Sequence, residues 1–580
     1  MIKDFPQLKK NLKADMTGLP TVKLALVGDT ATQLLVTAIR GMGVEYGYNM
    51  EVYEAEYNQV ERQFFDMSSE LYQFDADFIV LFLSTHKLCE RHSQLPESDQ
   101  AELAKERVAF VESICQIPAL EGKKILCFNY PEIDDTVFGN YANKVRSSFT
   151  FQLRQLNYEL MELATRTPNL QICDIASLQN KFGRDMMFAS NIYVSTEMVL
   201  SIDSLPYVAG RILDIVCAVK GQFKKCLIID LDNTIWGGVI GDDGLEGIRL
   251  GHGLGIGKAF TEFQMWIKKL KQRGIIICVV SKNNEDIAKE PFEKHPDMVL
   301  KLDDIAVFMA NWETKVDNIR TVQSILNISF DSMVFLDDNP FERQMVKENI
   351  PGITVPELPA DPGEYLEYLY SQNLFETASY SHADKDRTQQ YQVEAKRVTL
   401  SKTFTNEADF LKSLDMRSTV EGFTKFNIPR VAQLSQRSNQ FNLRTIRYNE
   451  ADVAAMAKNP DIIDLSFTLE DKFGDNGLVA VVILKPSKMG KDTLFIDTWL
   501  MSCRVLKRGL ENFVLNTIVE RAREAGYQRI VGEYLPTAKN KMVELHYPNL
   551  GFRKCEGADT DLYELDINRY QPRECFIMNK

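Results

Sequence analysis

One short stretch, residues 226–234, limits what this chain can fold into more than any other. It is CLIIDLDNT, an apolar run of strand length followed by Asp230, Asp232 and Thr234. A short, continuous apolar run is typical of a strand buried in a parallel sheet, and open α/β sheets bind ligands at the carboxyl ends of such strands. The pattern predicts a crevice that receives two carboxylates, one as a nucleophile and one as an acid/base group.

Two later apolar runs are also followed by polar residues. The run 275–280 precedes Ser281, a second run precedes Asp337 and Asp338, and Lys315 lies between them in the sequence. Singly, these residues have ordinary explanations as a helix cap, turn residues or a surface lysine. As an ordered set on successive strands they predict one site. Because a carboxylate that attacks a phosphate meets an anion, this site implies a Mg²⁺ ion bound by carboxylates.

The motifs that carry these residues resemble, in order, the four motifs of the haloacid dehalogenase (HAD) superfamily: DLDNT, SKN, the lysine of NWETK, and DDNP. The longer strings DLDNTIWGGVIGDDGLEGIRLG, NWETK and FLDDNPFER resemble one branch, the FkbH-like proteins. The resemblance implies a catalytic set: Asp230 as nucleophile, Asp232 as acid/base, Thr234 and Ser281 at the phosphate, and Lys315 balancing charge. It implies Mg²⁺ held by Asp230, the backbone carbonyl of Asp232, and Asp337 or Asp338.

The composition disfavours several classes of function. The chain has 580 residues, 45% of them hydrophobic, and a net charge of −14, which argues against a nucleic-acid or anionic-membrane partner. Its ten cysteines form no C-x-x-C pair, so neither a zinc site nor a disulfide framework is indicated. Residues 1–15 lack the apolar core of a signal peptide, and no apolar run approaches the length of a membrane span. We expect a multidomain protein of the cytoplasm.

Residues 1–222 are expected to form an α/β domain with a flavodoxin-like parallel sheet, because apolar runs alternate with helical stretches. Gly28-Asp29-Thr30 resembles the Gly-Asp-Ser motif of SGNH hydrolases. Thr30 replaces the nucleophilic serine, and no histidine lies in residues 175–205 to serve as its base. Since a nucleophile without a base is poorly activated, we expect an SGNH-like fold with a lost or altered site. Docking of a partner or substrate is the alternative role.

The remainder of the chain is expected to form a HAD domain with a Rossmann-like parallel sheet, a linker helix, a third domain and a tail: residues 223–375, 376–405, 406–570 and 571–580. In the third domain, apolar strands with a tight turn at Gly474–Gly477 precede a loop and a helix from Leu510 to Arg523. This order resembles the GNAT acyltransferases, which implies a mixed α+β sheet.

The GNAT resemblance also implies a binding site for acyl-CoA or phosphopantetheine. A loop that enters a helix N-terminus suits a pyrophosphate. The residues that match are Arg504, Gly509, Asn540 and Tyr547. Lys507 stands where the family has the first glycine of its phosphate cradle, so a scaffold or carrier-docking module is an equal alternative.

The order SGNH-like, HAD and GNAT-like resembles the FkbH-like architecture over nearly the whole chain. This implies a Mg²⁺-dependent enzyme of biosynthesis that removes phosphate from a glyceryl donor of the 1,3-bisphosphoglycerate type. The acyl unit would then be loaded onto an acyl carrier protein. The alternatives are a plain small-metabolite phosphatase, a GNAT-type acyl-CoA acyltransferase, and a non-enzymatic docking scaffold.

Overall fold

The computed structural model describes residues 3–380, 387–401, 404–537, 539–555 and 561–580. The chain divides into two compact units, residues 1–218 and 219–580. It has the predicted α/β multidomain fold, with two parallel sheets and one mixed sheet. None of the described helices is both long enough and apolar enough to span a membrane.

The first unit contains a five-stranded sheet in the order β2-β1-β3-β4-β5, and all of its neighbouring strands are parallel. This is the predicted flavodoxin-like order. Its strands are β1 Thr21–Gly28, β2 Asn49–Glu54, β3 Phe78–Phe82, β4 Lys124–Phe128 and β5 Leu170–Cys173. Its helices are α1 Phe5–Asn11, α2 Gln33–Glu45, α3 Val60–Phe65, α4 Glu70–Phe74, α5 Thr85–Gln94, α6 Glu97–Gln100, α7 Leu103–Cys115, α8 Phe149–Arg166, α9 Ala176–Phe182, α10 Arg184–Met187, α11 Ser190–Thr196 and α12 Leu205–Val219.

The second unit begins with a parallel four-stranded sheet in the order β8-β7-β6-β9. Its strands are β6 Cys226–Ile229, β7 Ile276–Ser281, β8 Val307–Ala310 and β9 Met333–Leu336. Its helices are α13 Ile240–Gly247, α14 Ile256–Gln272, α15 Glu285–Lys294, α16 Lys315–Leu326, α17 Pro340–Asn349 and α18 Tyr365–Gln372. Every residue of β6, β7 and β9 is buried, which explains why these strands appear in the sequence as continuous apolar runs.

The glycine-rich segment 237–257 contributes residues to the core of the parallel sheet. Ile240 and Ile248 are buried beside Trp236 in the core of the parallel sheet. A Cβ on Gly237 would lie 2.9 Å from the ring of Phe260, so a glycine is needed for this close approach. The exposed residues of the segment lie at positions 239, 241–244, 246–247, 249 and 252–255.

The third sheet is mixed and follows the path β16-β17-β15-β14-β13-β12-β10-β18, with β11 paired to β12. Its strands are β10 Met416–Ser418, β11 Val420–Glu421, β12 Ile463–Asp471, β13 Gly474–Pro486, β14 Thr493–Met501, β15 Arg529–Tyr534, β16 Arg553–Lys554, β17 Asp561–Asp566 and β18 Ile577–Asn579. Its helices are α20 Glu407–Ser413, α21 Ile428–Arg437, α22 Glu450–Met456, α23 Leu510–Glu524 and α24 His546–Asn549.

Helix α19, Arg387–Ser401, lies in the segment expected to be a linker, of which residues 381–386 and 402–403 fall outside the described residues. The Gln392 amide donates to the carbonyl of Ile305 near the parallel sheet at 2.8 Å. The Arg397 guanidinium pairs with Asp471 of β12 at 2.7 Å. The helix therefore contacts both domains of the second unit.

Two expectations for the third domain are wrong. Residues Gly474–Gly477 belong to β13. The turn of the hairpin lies just before them, because Asp471 of β12 pairs with Gly474 of β13. The expected tail, residues 571–580, contributes β18, which pairs in parallel with β10 and buries Ile577. Both errors concern strand pairing, which depends on partners far away in the sequence.

Candidate active site

The predicted catalytic residues meet at the carboxyl edge of the parallel sheet. Strand β6 lies between β7 and β9, so the residues that follow these strands are neighbours in space. Asp230 follows β6, Asp337 follows β9, and Ser281 ends β7. Lys315 is the first residue of α16, whose N-cap Thr314 accepts a hydrogen bond from the Asp317 amide.

Three carboxylates form a compact cluster there. Asp230, Asp337 and Asp338 each place one oxygen within 4.8 Å of the other two. The Lys315 ammonium lies 3.0 Å from Asp230 Oδ1 and 2.5 Å from Asp337 Oδ2. Lys315 thus pairs with two of the three acids of the cluster. Apart from its ion pair, Asp230 Oδ1 accepts no hydrogen bond from the described residues, although it is buried.

The electrostatics of this cluster disfavour three negative charges. Burial and the neighbouring charge of Asp230 raise the pKa of Asp337 to about 7. Burial, followed by Asp230, also raises the pKa of Asp338. Burial disfavours the ammonium of Lys315, but the charges of Asp230 and Asp337 outweigh it and raise the Lys315 pKa. An added cation would relieve the repulsion among the carboxylates.

Asp232 occupies a separate position beside the cluster. Its Oδ1 accepts hydrogen bonds from the Trp236 indole and the Ile240 amide, both at 2.9 Å. Its Oδ2 accepts one from the Asn283 amide at 3.0 Å. Burial raises the pKa of Asp232 despite these donors. Its side chain is thus fixed away from the three clustered carboxylates, and the predicted metal contact of Asp232 concerned only its backbone carbonyl.

The two hydroxyl residues differ in what they contact. Thr234 is fully buried, and its Oγ1 accepts a hydrogen bond from the Asp338 amide at 3.1 Å and lies 3.3 Å from Asp338 Oδ1. It therefore orients Asp338, while its role at a phosphate stays a prediction. Ser281 is 2% exposed at the end of β7, where a phosphoryl oxygen is expected.

Arg343 is a functional candidate that the sequence did not indicate. It is 5% exposed, and its Nη1 donates to the carbonyls of Asp337 and Asp338 at 2.8 and 2.7 Å. Its Nε donates to Glu357. The arginine clamps the turn that presents the acidic pair. In the sequence, Arg343 was marked only as the last residue of the string FLDDNPFER. An arginine six positions after Asp337 does not by itself indicate a function.

The residues predicted to bind acyl-CoA are held by internal contacts. Arg504 bonds to Ser502, the Asn476 carbonyl and Gln390 of α19. Asn540 is fully buried and donates to the carbonyls of Asn442 and Leu535. Tyr547 is 1% exposed in the core, and Gly509 is the N-cap of α23 with φ of 73°. Their role in binding CoA stays a prediction, and these contacts do not support it.

The chain itself fills the cleft where β14 and β15 diverge. These strands pair only from Thr493–Ile496 to Arg529–Gly532. Beyond that point the inserted segment, residues 441–444, bonds to β14 and to Leu535, the residue that follows β15. The Met501 amide donates to Phe441 O at 3.1 Å, the Leu443 amide donates to Trp499 O at 3.4 Å, and the Leu535 amide donates to Leu443 O at 2.9 Å.

Comparison with known proteins gives the family of the chain. The model of the FkbH N-terminal domain matches residues 23–217. A crystal structure of the N-terminal part of a Bacteroides fragilis protein, containing a phosphatase domain and complexed with Mg, is 62% identical with a TM-score of 0.63. That match covers 65% of this chain and 100% of the other. The chain belongs to the FkbH-like family. No curated protein matches it.

Other solved structures match a smaller part of this FkbH-like chain. The ribosomal-protein-S18-alanine N-acetyltransferase from Escherichia coli is 16% identical over 26% of this chain and 94% of its own, with a TM-score of 0.20. The GNAT domain of S. lividans PAT is 18% identical over 25% of this chain and 89% of its own, with a TM-score of 0.21. Likeness at these TM-scores carries no argument, so the description of the third domain rests on its own strand order.

The acidic cluster of this FkbH-like protein fits a hard divalent cation. Mg²⁺ is bound by oxygen ligands, and carboxylates are common among them. The cluster offers three carboxylates, one with a buried oxygen that accepts no hydrogen bond from the described residues, and a single lysine against three acids. Arg343 and Thr234 hold the two acids of the turn in place. Such partners commonly orient metal-binding side chains.

Proposed function

We propose that this FkbH-like chain is a Mg²⁺-dependent HAD-type phosphatase that acts in loading a glyceryl unit onto an acyl carrier protein. The observation that carries the phosphoryl step is the convergence of Asp230, Asp337, Asp338 and Lys315 at one sheet edge. The family relationship and the phosphatase domain of the Bacteroides fragilis relative support the same step.

Asp230 is the nucleophile of the proposed reaction. Its carboxylate attacks the phosphorus of a phosphate ester, the ester oxygen leaves, and an aspartyl-phosphate forms. Lys315, 3.0 Å from Asp230 Oδ1, holds this carboxylate and offsets the charge that accumulates around it. Mg²⁺, held by Asp230, the Asp232 carbonyl and the Asp337–Asp338 pair, would supply charge neutralisation at the phosphoryl oxygens.

Asp232 carries the protons. It donates one to the departing ester oxygen and takes one from the water that hydrolyses the aspartyl-phosphate, which releases inorganic phosphate and restores Asp230. Its raised pKa favours the protonated form needed for the first transfer. The contacts from Trp236, Ile240 and Asn283 keep the carboxyl beside the nucleophile without letting it join the acidic cluster.

The substrate assignment rests on the family resemblance. A donor of the 1,3-bisphosphoglycerate type carries an acyl phosphate and a phosphate ester. The phosphopantetheine thiol of the carrier would displace the acyl phosphate, forming a thioester and releasing phosphate. The site at Asp230 would remove the ester phosphate, leaving glyceryl on the carrier.

The test is incubation of the full chain with Mg²⁺, 1,3-bisphosphoglycerate and candidate acyl carrier proteins. We expect phosphate release and a glyceryl adduct on the carrier, measured by intact mass, with phosphate release lost in Asp230→Asn. Phosphate release without an adduct on any carrier would favour a plain small-metabolite phosphatase. Absence of both products would leave only a docking role and would contradict the proposal.

A further inference from the structure

The first unit contains a cavity that the proposed function does not use. It has a volume of about 560 Å³ and lies beyond the carboxyl ends of β1, β3 and β4, lined there by Asp29, Ser84 and Tyr130. The chain passes from β1 outward to β2 and then back to β3, so the strand order reverses between β1 and β3. Open α/β sheets bind ligands at this switch point, and the volume suits a small metabolite.

Arg107 of α7 lines this cavity beside the Tyr130 hydroxyl and without an ion-pair partner among the described residues. Its guanidinium lies 4.6 Å from the centre of the Phe110 ring. Its Nε is buried and has no hydrogen-bond partner, and no carboxylate forms an ion pair with the arginine, among the described residues. A guanidinium that rests on an aromatic ring keeps its planar set of donors free for a carboxylate or phosphate.

The other cations of the cavity wall differ from Arg107 because each has an acidic partner. Lys87 lies 2.8 Å from Glu197, Arg62 lies 3.0 Å from Glu70, and Arg91 pairs with Glu106. These pairs neutralise the wall locally, so Arg107 is the cation most available to a ligand.

The polar groups on the floor are held in fixed positions. Asn157 bonds to both the amide and the carbonyl of Tyr130 at 2.9 and 2.8 Å, and Tyr130 is 1% exposed with its hydroxyl beside Arg107. Asp29 accepts from the Ser84 amide through both oxygens, at 2.9 and 3.0 Å. The charge of Arg107 acts on both Asp29 and Tyr130. A cation, a phenol and a carboxylate thus adjoin one another.

We propose that this cavity binds a small hydroxylated organic anion, whose carboxylate or phosphate pairs with Arg107 and whose hydroxyl donates to Asp29. The anion matches a guanidinium that forms no ion pair among the described residues. The hydroxyl matches the Asp29 carboxylate, whose hydrogen bonds come from Ser84 and leave lone pairs for a further donor. Apolar side chains of Val60, Leu83 and Leu88 complete the wall and suit the carbon skeleton.

The same geometry favours binding over ester hydrolysis. Thr30, at the position of the SGNH nucleophile, is fully buried and does not line the cavity. The Ser84 hydroxyl accepts from the Lys87 amide as the N-cap of α5. Thr30 is therefore not placed as a nucleophile toward the cavity, and the Ser84 hydroxyl serves as a helix cap.

The test measures protection of Arg107 in the full chain. An arginine-selective dicarbonyl reagent is applied with inorganic phosphate, glycerol 3-phosphate, glycerate or neutral glycerol, and modification of the Arg107 peptide is followed by mass spectrometry. We expect a hydroxylated anion to protect Arg107, and glycerol to give no protection. Glycerol 3-phosphate and glycerate distinguish a phosphate from a carboxylate ligand. Asp230→Asn is used throughout, so that turnover at the other site does not consume a probe.

Calorimetry with the protecting probe tests the role of the side chain. Arg107→Ala should weaken binding about tenfold or more, because an ionic hydrogen-bonded pair is lost. The affinity of Arg107→Lys should lie between those of the parent and Arg107→Ala, because lysine keeps the charge and lacks the planar guanidinium. Lys105→Ala, an exposed neighbour on α7, should bind normally. Failure of all three anions to protect Arg107, or unchanged binding by a folded Arg107→Ala variant, would overturn the proposal.

Discussion

Two regions of the second unit, the acidic cluster and the cleft between β14 and β15, were predicted to be binding sites from similar evidence. The structure leaves polar groups available in the first and fills the second with the chain itself. Each region was predicted from a polar motif that follows a strand. At the acidic cluster the chain leaves carboxylates short of partners, with three acids around Lys315. At the cleft between β14 and β15, the inserted segment bonds to backbone groups of β14 and of Leu535, which follows β15. A motif therefore marks a binding site only when distant residues leave its polar groups available.

The difference has an energetic consequence. Buried groups that lack partners lower stability and persist where function requires them. Buried groups with complete hydrogen bonding stabilise the fold, and removing one partner leaves the other unsatisfied. Substitutions in the acidic cluster should thus affect activity more than stability, while substitutions around the filled cleft should do the reverse.

The largest expected effect is on activity at the acidic cluster. Asp230→Asn should lower phosphate release by at least about 10³-fold, because the amide cannot act as the nucleophile. Without metal, the variant should melt at the same temperature as the parent or higher, since it removes one of three adjacent acids. Asp286→Asn, an exposed acid on α15, serves as the control. Full activity in a folded Asp230→Asn protein would contradict the view that the acidic cluster is the catalytic site.

Next is a loss of stability at the filled cleft. Asn540→Ala removes the donors to the carbonyls of Asn442 and Leu535, and should cost about 3 kcal/mol in the free energy of unfolding. Phosphate release by the folded protein should not change. Chemical denaturation checks the first outcome, with exposed Asn568→Ala as the control. Stability equal to that of the control would mean that the segment does not fill the cleft in solution.

Local sequence sufficed for the acidic cluster because its strands are continuous apolar runs and its motifs follow them directly. Asp230, Lys315 and Asp337 were brought together as expected once the parallel sheet was assumed. Arg343 was missed because its acceptors are backbone carbonyls, which have no sequence signature.

The third domain was harder to predict because its strands pair over long distances. Ile577 of β18 pairs with Met416 of β10, and the short apolar run 575–578 does not by itself indicate a partner about 160 residues earlier in the chain. The inserted segment likewise bonds to strands that follow it by more than fifty residues. Pairing of this kind is set by the tertiary fold and not by local propensity.

A smaller effect is expected from pH at the filled cleft. His546 lies against Trp499 and Phe441, and burial lowers its pKa to about 3. The unfolded chain binds a proton near pH 6.5 and the folded chain does not, so stability falls as pH drops from about 6.5 toward 3. This should cost about 2 kcal/mol at pH 5.

Denaturation curves at pH 7 and pH 5 test this effect. His546→Gln should lose less stability between the two pH values than the parent, because the group that titrates is gone. His252→Gln replaces an exposed histidine and should keep the parental pH dependence. Equal losses in the parent and in His546→Gln would show that another group controls the acid response.

The smallest expected effect is on the affinity of the acidic cluster for Mg²⁺, and it concerns Arg343. Arg343 donates to the carbonyls of Asp337 and Asp338 through one Nη atom while its Nε bonds to Glu357. Arg343→Lys keeps the charge but cannot make both sets of contacts with its single nitrogen. The turn should loosen, and affinity for Mg²⁺ should fall about tenfold, as for other residues that orient metal ligands.

Calorimetric titration with Mg²⁺ measures this change directly, without a substrate. Arg320→Lys is the matched control, because Arg320 lies on α16 and contacts Asp317 and the carbonyl of Asn349 at the surface. If the clamp matters only for folding, Arg343→Lys will lower the melting temperature while the folded protein binds Mg²⁺ as the parent does. A weaker Mg²⁺ affinity at unchanged stability would instead show that Arg343 positions the metal-binding acids. These acids can bind a cation tightly only while their turn is held in place.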